Sequence, residues 1–205
     1  MAMQLIGMLD SPYVRRVAIG LQLLGVPFTH RSVSVFRGID TFAPINPVLK
    51  APTLVCDDGT VLMDSTLILA WAQTLAAPRT LAGADPLHAA RVLGLALAGL
   101  EKAVQIVYER ARPPERRHAP WVERVSGQAQ QAFALLEREF ERHPPTQLDD
   151  ATMTAAVAWT FTQAMVPTLV PPQAHPRQRD WAAQAEAHPA FRAAPHGDGV
   201  YPVGG

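Results

Sequence analysis

A single cysteine, Cys56, stands in the whole chain of 205 residues, so no disulfide can close within it. A lone thiol of this kind suits a reducing compartment. An excess of charge is missing too: 18 lysines and arginines balance 18 aspartates and glutamates. A chain without a basic surplus lacks the electrostatic footprint of a nucleic-acid binder, and no block of like charge forms an interaction tail. Long apolar runs are absent. The most apolar stretch, Val92 to Leu100, stops at Glu101-Lys102 and is far too short to cross a bilayer. The start of the chain lacks the basic-then-apolar pattern of a secretory leader. The expected location is cytoplasmic, with neither membrane nor nucleic acid as a partner. No glycine-rich nucleotide loop and no internal repeat occur. The seven histidines are scattered, and none pairs at helical spacing with another metal-ligating type. No metal is expected.

Apolar residues are plentiful, at 48% of the chain, enough for a substantial core. The first third alternates short pieces of two periods. Gln4 to Met8 reads as a buried strand. Val14, Val17, Ala18, Leu21 and Leu24 then repeat at helical spacing until Gly25 ends the run. Phe28 to Val35 reads as a second strand, and residues 36–51 as irregular chain with room for one short helix. Thr53–Cys56 and Val61–Met63 flank Asp57-Asp58-Gly59, a strong hairpin signal. Ser65 opens a helix with Leu67, Ile68, Trp71 and Leu75 on one side. The order is βαβ-α-ββα, with the first two strands parallel across a crossover helix and the last two antiparallel.

The remainder reads as helix. Residues 78–86 form a linker with Pro78, Gly83 and Pro86, separating a domain over 1–77 from an all-α helical domain over 87–205. Residues 87–112 are rich in alanine and leucine. Trp121 to Arg142 carries Val122, Val125, Ala129, Ala132, Phe133, Leu136 and Phe140 as an apolar stripe. Asp149 or Asp150 caps a third helix that Pro167 stops. Trp181 marks a shorter fourth, and the tail from Pro195 reads as an extended surface segment.

Three local motifs carry chemistry. Ser11-Pro12 opens the first helix, with serine suited to the N-cap and proline to the first helical position. Ala51-Pro52 precedes the third strand within Asn46-Pro47-Val48-Leu49-Lys50-Ala51-Pro52-Thr53-Leu54. Asp64-Ser65 follows the hairpin at a helix N-terminus, a ready anion site. This layout resembles the cytosolic glutathione transferase family over nearly the whole chain, most closely its bacterial, serine-type, theta- or zeta-like branches. That resemblance implies a thioredoxin-like N-terminal α/β domain joined to an all-α helical domain that lines the electrophile site. It implies glutathione as co-substrate and a homodimer.

The resemblance also assigns roles. Ser11 donates to the glutathione sulfur. A free thiol has a pKa of about 8.5, and lowering it by about two units requires roughly 2.7 kcal/mol. A hydrogen bond to a charged group supplies about 1.5–3 kcal/mol, and a helix N-terminus about 0.3–1 kcal/mol. Together they suffice; the dipole alone does not. Tyr13 is a competing donor, since some branches use tyrosine, although they place it earlier in the chain. The backbone of Ala51, turned by a cis bond to Pro52, pairs with the cysteinyl part of glutathione as an added strand would. Lys50 stands where the family often has a polar residue near the glycine carboxylate, but Leu49 replaces a common glycine. Ser65 holds the γ-glutamyl carboxylate, and Asp64 faces the amino group. By analogy Tyr108 and Arg112, read as one helix face, line the electrophile pocket.

Several residues read as structural. Arg15 and Arg16 lie in the first helical turn, where the dipole disfavours cations, and are assigned to a solvated or dimer-facing surface. Cys56 is a buried thiol and Trp159 a core residue. The family's usual Ser/Thr-x-x-Asp box before its sixth helix is incomplete at Thr152-Met153-Thr154-Ala155. The functional expectation is conjugation of the glutathione thiolate to small hydrophobic electrophiles. Glutathione-dependent isomerisation or dehalogenation on the same platform, or a non-catalytic binding module, are the alternatives.

Overall fold

The computed structural model describes residues 3–197 and Gly199. Contacts group them into two units: residues up to Leu81 with the segment from Ala187 onward, and Ala82–Glu186. The segment from Ala187 thus joins the first unit, whereas the sequence placed it in the helical domain. The tail expected to be extended lies for the most part outside the described residues.

The first unit is built on a four-stranded sheet in the order β2-β1-β3-β4. Strand β1 (Gln4–Ile6) runs parallel to β2 (Thr29–Arg31) with Leu5 opposite His30, and antiparallel to β3 (Thr53–Val55) with Leu5 opposite Leu54. Strand β4 (Val61–Met63) closes the hairpin with β3. Helix α1 (Pro12–Leu24) makes the crossover, α2 (Ile39–Phe42) is a single turn, and α3 (Ser65–Leu75) follows the hairpin. This is the thioredoxin-like βαβ-α-ββα order. Gly25 ends α1 at φ 69°, its N–H bonded to the Gln22 carbonyl, a left-handed cap that glycine adopts without steric cost. Leu5, Ile6, Val14, Val17, Leu21, Leu54, Ile68 and Leu69 are fully buried and form the core of this unit.

Two expectations change here. The first two strands are shorter than their apolar runs. Gly7, at φ 136°, ends β1. After β2 the Ser34 hydroxyl accepts the N–H groups of Phe36 and Arg37, so a side chain takes donors that a ladder would need. In α3 the buried face is Ser65, Ile68, Leu69 and Ala72, while Leu67 and Leu75 are exposed. Leucine at both faces gave the helix no clear polar side, so periodicity chose the wrong stripe.

The second unit is helical throughout: α4 (Pro86–Arg110), α5 (Ala119–Arg142), α6 (Asp150–Met165) and α7 (Pro176–Glu186). Asp85 caps α4, accepting from the N–H groups of Leu87 and His88. Helix α6 is buried nearly all round, from Ala151 through Thr162, as befits a central helix. Its capping box is present but reversed: Asp149 accepts from the Thr152 N–H at 2.8 Å, and the Thr152 hydroxyl accepts from the Asp149 N–H at 3.0 Å. The acid comes first and the threonine last, so the box lies one turn before the threonine-led pattern sought in the sequence. Gly99 lets α5 approach closely, since a Cβ there would stand 3.0 Å from the Phe133 ring. Short helix α8 (Pro189–Ala193) returns to the first unit and packs on α1. Among the described residues no helix is long and apolar enough to cross a membrane.

One buried carboxylate holds α5 to α7. Glu137 accepts from the N–H groups of Arg177 and Gln178, at 2.7 and 3.1 Å, and from the Gln178 side chain at 3.1 Å. It acts as a borrowed cap, and negative charge at a helix N-terminus is favourable. Replacing Glu137 by Ala strips three donors of their acceptor. Urea unfolding should show a loss of about 2–4 kcal/mol; a loss under about 0.5 kcal/mol, the range of an ordinary surface change, contradicts this role.

Candidate functional site

The residues singled out in the sequence lie on three loops, after β1, before β3 and after β4. Ser11 is the N-cap of α1, with extended backbone and its Oγ accepting from the Val14 N–H at 3.5 Å. That bond is long. The turn leading to it is fixed by the Ser11 N–H on the Met8 carbonyl, 3.1 Å. At the head of this turn sits Gly7. A Cβ there would lie 2.6 Å from Val14 Cγ2 and 3.1 Å from Ala51 Cβ. The absent side chain lets strand end, first helical turn and proline loop meet. The Gly7 N–H donates to the Arg31 carbonyl at 3.1 Å, and its own carbonyl lies 2.6 Å from His30 Nε2. His30 is buried, and burial lowers its pKa below the usual 6.5, partly offset by the bond to Gly7.

The Ala51–Pro52 peptide is cis. A second cis peptide, Ala77–Pro78, lies in the expected linker. The loop before Pro52 is organised by a buried amide that sequence reasoning passed over. Asn46 Nδ2 donates to Thr53 Oγ1 at 2.8 Å, Thr53 Oγ1 donates to the Lys50 carbonyl at 2.7 Å, and Asn46 Oδ1 accepts the Val48 N–H at 3.0 Å. The signal was there: Asn followed by Pro favours a turn closed by the asparagine side chain. Within this loop Leu49 has φ 54°, a conformation that costs a residue with a Cβ about 1–2 kcal/mol.

Across the hairpin, Asp64 is the N-cap of α3 and Ser65 its first residue. Asp64 also has positive φ, 71°, and its Oδ1 accepts the Thr66 N–H at 2.9 Å. Its other oxygen lies 3.6 Å from Lys50 Nζ. Both side chains of that pair are about half exposed, so the contact adds little stability; it does bring the two candidate residues face to face. Ser65 is buried, and its hydroxyl accepts from Arg16 at 3.0 Å.

Arg15 and Arg16 overturn their surface assignment: both are essentially fully buried. Arg16 Nη1 reaches Ser65 Oγ and Thr66 Oγ1, each at 3.0 Å. Arg15 Nε donates to the Ala194 carbonyl at 2.7 Å, and its guanidinium lies 5.4 Å from the Phe191 ring centroid. A charged side chain inside an apolar helix is legible only once its partners are known, and these come from positions far along the chain.

In the helical unit, Tyr108 is exposed on α4. Arg112 lies beyond the last residue of that helix, Arg110, and pairs with Glu109 at 3.5 Å. The two therefore do not share a helix face. The Arg117 side chain donates to the carbonyls of Arg110 and Arg112 and ends the helix there. Trp159 is buried, as expected of a core residue. Cys56 is half-buried, just past β3; burial, then the neighbouring carboxylates of Asp58 and Asp57, push its thiol pKa up, which disfavours the reactive thiolate. Among the described residues no group of three or more His, Cys, Asp or Glu is gathered to hold a metal ion.

A profile of the glutathione S-transferase N-terminal domain matches residues 5–80. Over 138 residues the chain is 28% identical to the GST-like protein YibF of Escherichia coli (strain K12), covering 66% of this chain and 68% of that one. It is 26% identical to glutathione S-transferase U4 of Arabidopsis thaliana over 66% of this chain, spanning 59% of the plant protein. Among solved structures, a glutathione transferase family member from Pseudomonas fluorescens Pf-5 with bound glutathione superposes with a TM-score of 0.83 at 26% identity, over 94% of this chain and 98% of that one. A glutathione S-transferase from Methylobacterium radiotolerans JCM 2831, in complex with glutathione sulfonate, gives 0.87 at 24% identity over 100% and 97%, a likeness of fold.

Two measurements probe the loops. Leu49→Gly removes the left-handed penalty at the cost of a more flexible unfolded chain; a net gain of about 0.5 kcal/mol in urea unfolding is expected, and a loss above 1 kcal/mol contradicts the strain. For His30, burial makes the folded chain bind a proton less readily than the unfolded one. Its contribution is therefore complete above the unfolded pKa of about 6.5 and is lost as pH falls through the depressed folded value. Wild type should lose more stability than His30→Gln between about pH 8 and pH 5; parallel losses would refute this.

Proposed function

This chain belongs to the glutathione S-transferase family, and from that premise we propose that it joins the thiolate of glutathione to small hydrophobic electrophiles. The observation that carries the reading is the convergence on Gly7 of the first turn of α1, which Ser11 caps, and the loop of the cis Ala51–Pro52 peptide, with Lys50 3.6 Å from Asp64 at the start of α3. Relatives of this fold have been seen with glutathione bound.

In this reading the Ser11 hydroxyl stabilises the attacking sulfur. Among the described residues its oxygen is held by one long bond, from the Val14 N–H, and its proton is the one it has to donate. The main chain of Ala51 pairs with the cysteinyl segment, with the cis bond turning its N–H and C=O outward. Ser65 receives the γ-glutamyl carboxylate at the mouth of α3, where N–H groups and the helix dipole favour an anion. Asp64 faces the amino group. Lys50, paired with Asp64, lies two residues before Pro52 and serves the glycine carboxylate. Tyr108, exposed on its helix, and Arg112, held by Glu109, are assigned to the electrophile side.

The protein acts as a cytoplasmic homodimer. The exposed Leu67 and Leu75 side chains of α3 support the homodimer as apolar surface it could cover.

Ser11→Ala should lower turnover about ten- to a hundredfold, the range of one hydrogen bond to a charged group, with little change in glutathione affinity. The pKa of bound glutathione, followed by thiolate absorbance, should return toward its free value. Full activity with an unshifted titration refutes the role of Ser11. Retention on immobilised glutathione without turnover of any halide, isomerisable or epoxide substrate would favour a binding module instead.

A further inference from the structure

Arg16 is a cation with no exposed surface, set in the first turns of α1, where the helix dipole opposes positive charge. Burial of an arginine persists only where its donors are matched. The partners are informative. Its Nη1 donates to Ser65 Oγ and Thr66 Oγ1, both at 3.0 Å. A guanidinium never accepts a hydrogen bond, so both hydroxyl oxygens are acceptors in these contacts. Each hydroxyl has one proton, and that proton must point away from Arg16. The two hydroxyls occupy the first two positions of an 11-residue helix, at the end where the helix dipole is positive. Two hydroxyls turned into donors at a helix end favour one kind of occupant: an anion with two acceptor oxygens.

We propose that Arg16 is a positioning residue for the anion end of the site, orienting the Ser65 and Thr66 hydroxyls toward the γ-glutamyl carboxylate of glutathione. The inference rests on the function proposed above and adds to it a residue that does not itself touch the ligand. It also gives Thr66 a share in the carboxylate's recognition. The effect is specific to one group of the tripeptide, since the cysteinyl and glycyl ends are met by other loops.

That specificity supplies the test. The analogue γ-aminobutyryl-cysteinyl-glycine is glutathione without the γ-glutamyl carboxylate. Binding of both ligands is measured by calorimetry to wild type, Arg16→Met and Thr66→Val. Wild type should prefer glutathione. Arg16→Met should cut that preference about tenfold, the size of one charge-assisted bond, by weakening glutathione while leaving the analogue unchanged. Thr66→Val, at a half-buried position that tolerates the change, should cut it a few-fold. Equal weakening of both ligands marks a merely structural arginine and overturns the proposal. So does an unchanged preference in either variant, and Thr66→Val decides the matter if Arg16→Met does not fold. Wild type binding neither ligand removes the proposed function, and this inference with it; wild type binding glutathione with preference unaltered by the variants removes the inference alone.

Discussion

The site depends on a residue that has no side chain. At Gly7 a strand ends, a helix begins and a proline loop passes, and the space a Cβ would need is already taken by Val14 and Ala51. Any other residue would push these segments apart and would also have to accept φ 136°, a conformation open essentially to glycine. The backbone of Gly7 is held on both sides, by the Arg31 carbonyl and by the buried ring of His30. A rigid point of this kind suits the role proposed for the Ser11 hydroxyl, since small displacements of reacting groups are expensive in rate.

Around that point the polar groups are arranged in a hierarchy of burial. Asn46 and Thr53, sealed beneath the proline loop, shape its main chain. Arg16 lies beneath the α3 terminus. Above them Lys50 and Asp64 remain half exposed. The buried groups determine geometry, because unmatched they would cost several kcal/mol; the exposed pair contributes charge without much stability. Leu49 and Asp64, both at positive φ without being glycine, lie beside and within the Lys50–Asp64 pair. Non-glycine residues in this region persist where neighbours over-determine them, and they gather at functional sites.

Much of this was legible in the sequence, and the reasons are local. Ser11-Pro12, the Asp57-Asp58-Gly59 turn and Asp64-Ser65 each carry their conformation in two or three adjacent residues, so their roles as cap, hairpin and helix start could be read directly. The parallel first pair followed from the crossover and the antiparallel last pair from the hairpin; the β1–β3 pairing that joins them into one sheet did not. What escaped was whatever depends on distant partners. Arg15 and Arg16 look like surface residues until Ala194, Ser65 and Thr66 are brought to them. Leu67 and Leu75 look like core because their spacing is helical, yet the neighbouring face, with Ile68, Leu69 and Ala72, is the one packed against α1. Arg112 appeared to extend α4, but a side chain seven residues past Arg110 takes up that helix's last carbonyl.

The grip of Arg15 on the Ala194 carbonyl and the Phe191 ring has an effect on how the protein is made. A nascent chain presents its first helix to solvent while the ribosome is still far from codon 191. Until α8 emerges, a guanidinium destined for the interior has neither its carbonyl nor its aromatic neighbour. The first unit therefore reaches its finished form only once residue 194 has been made, and a message cut short before that point yields an opening helix whose Arg15 lacks the Ala194 carbonyl and the Phe191 ring.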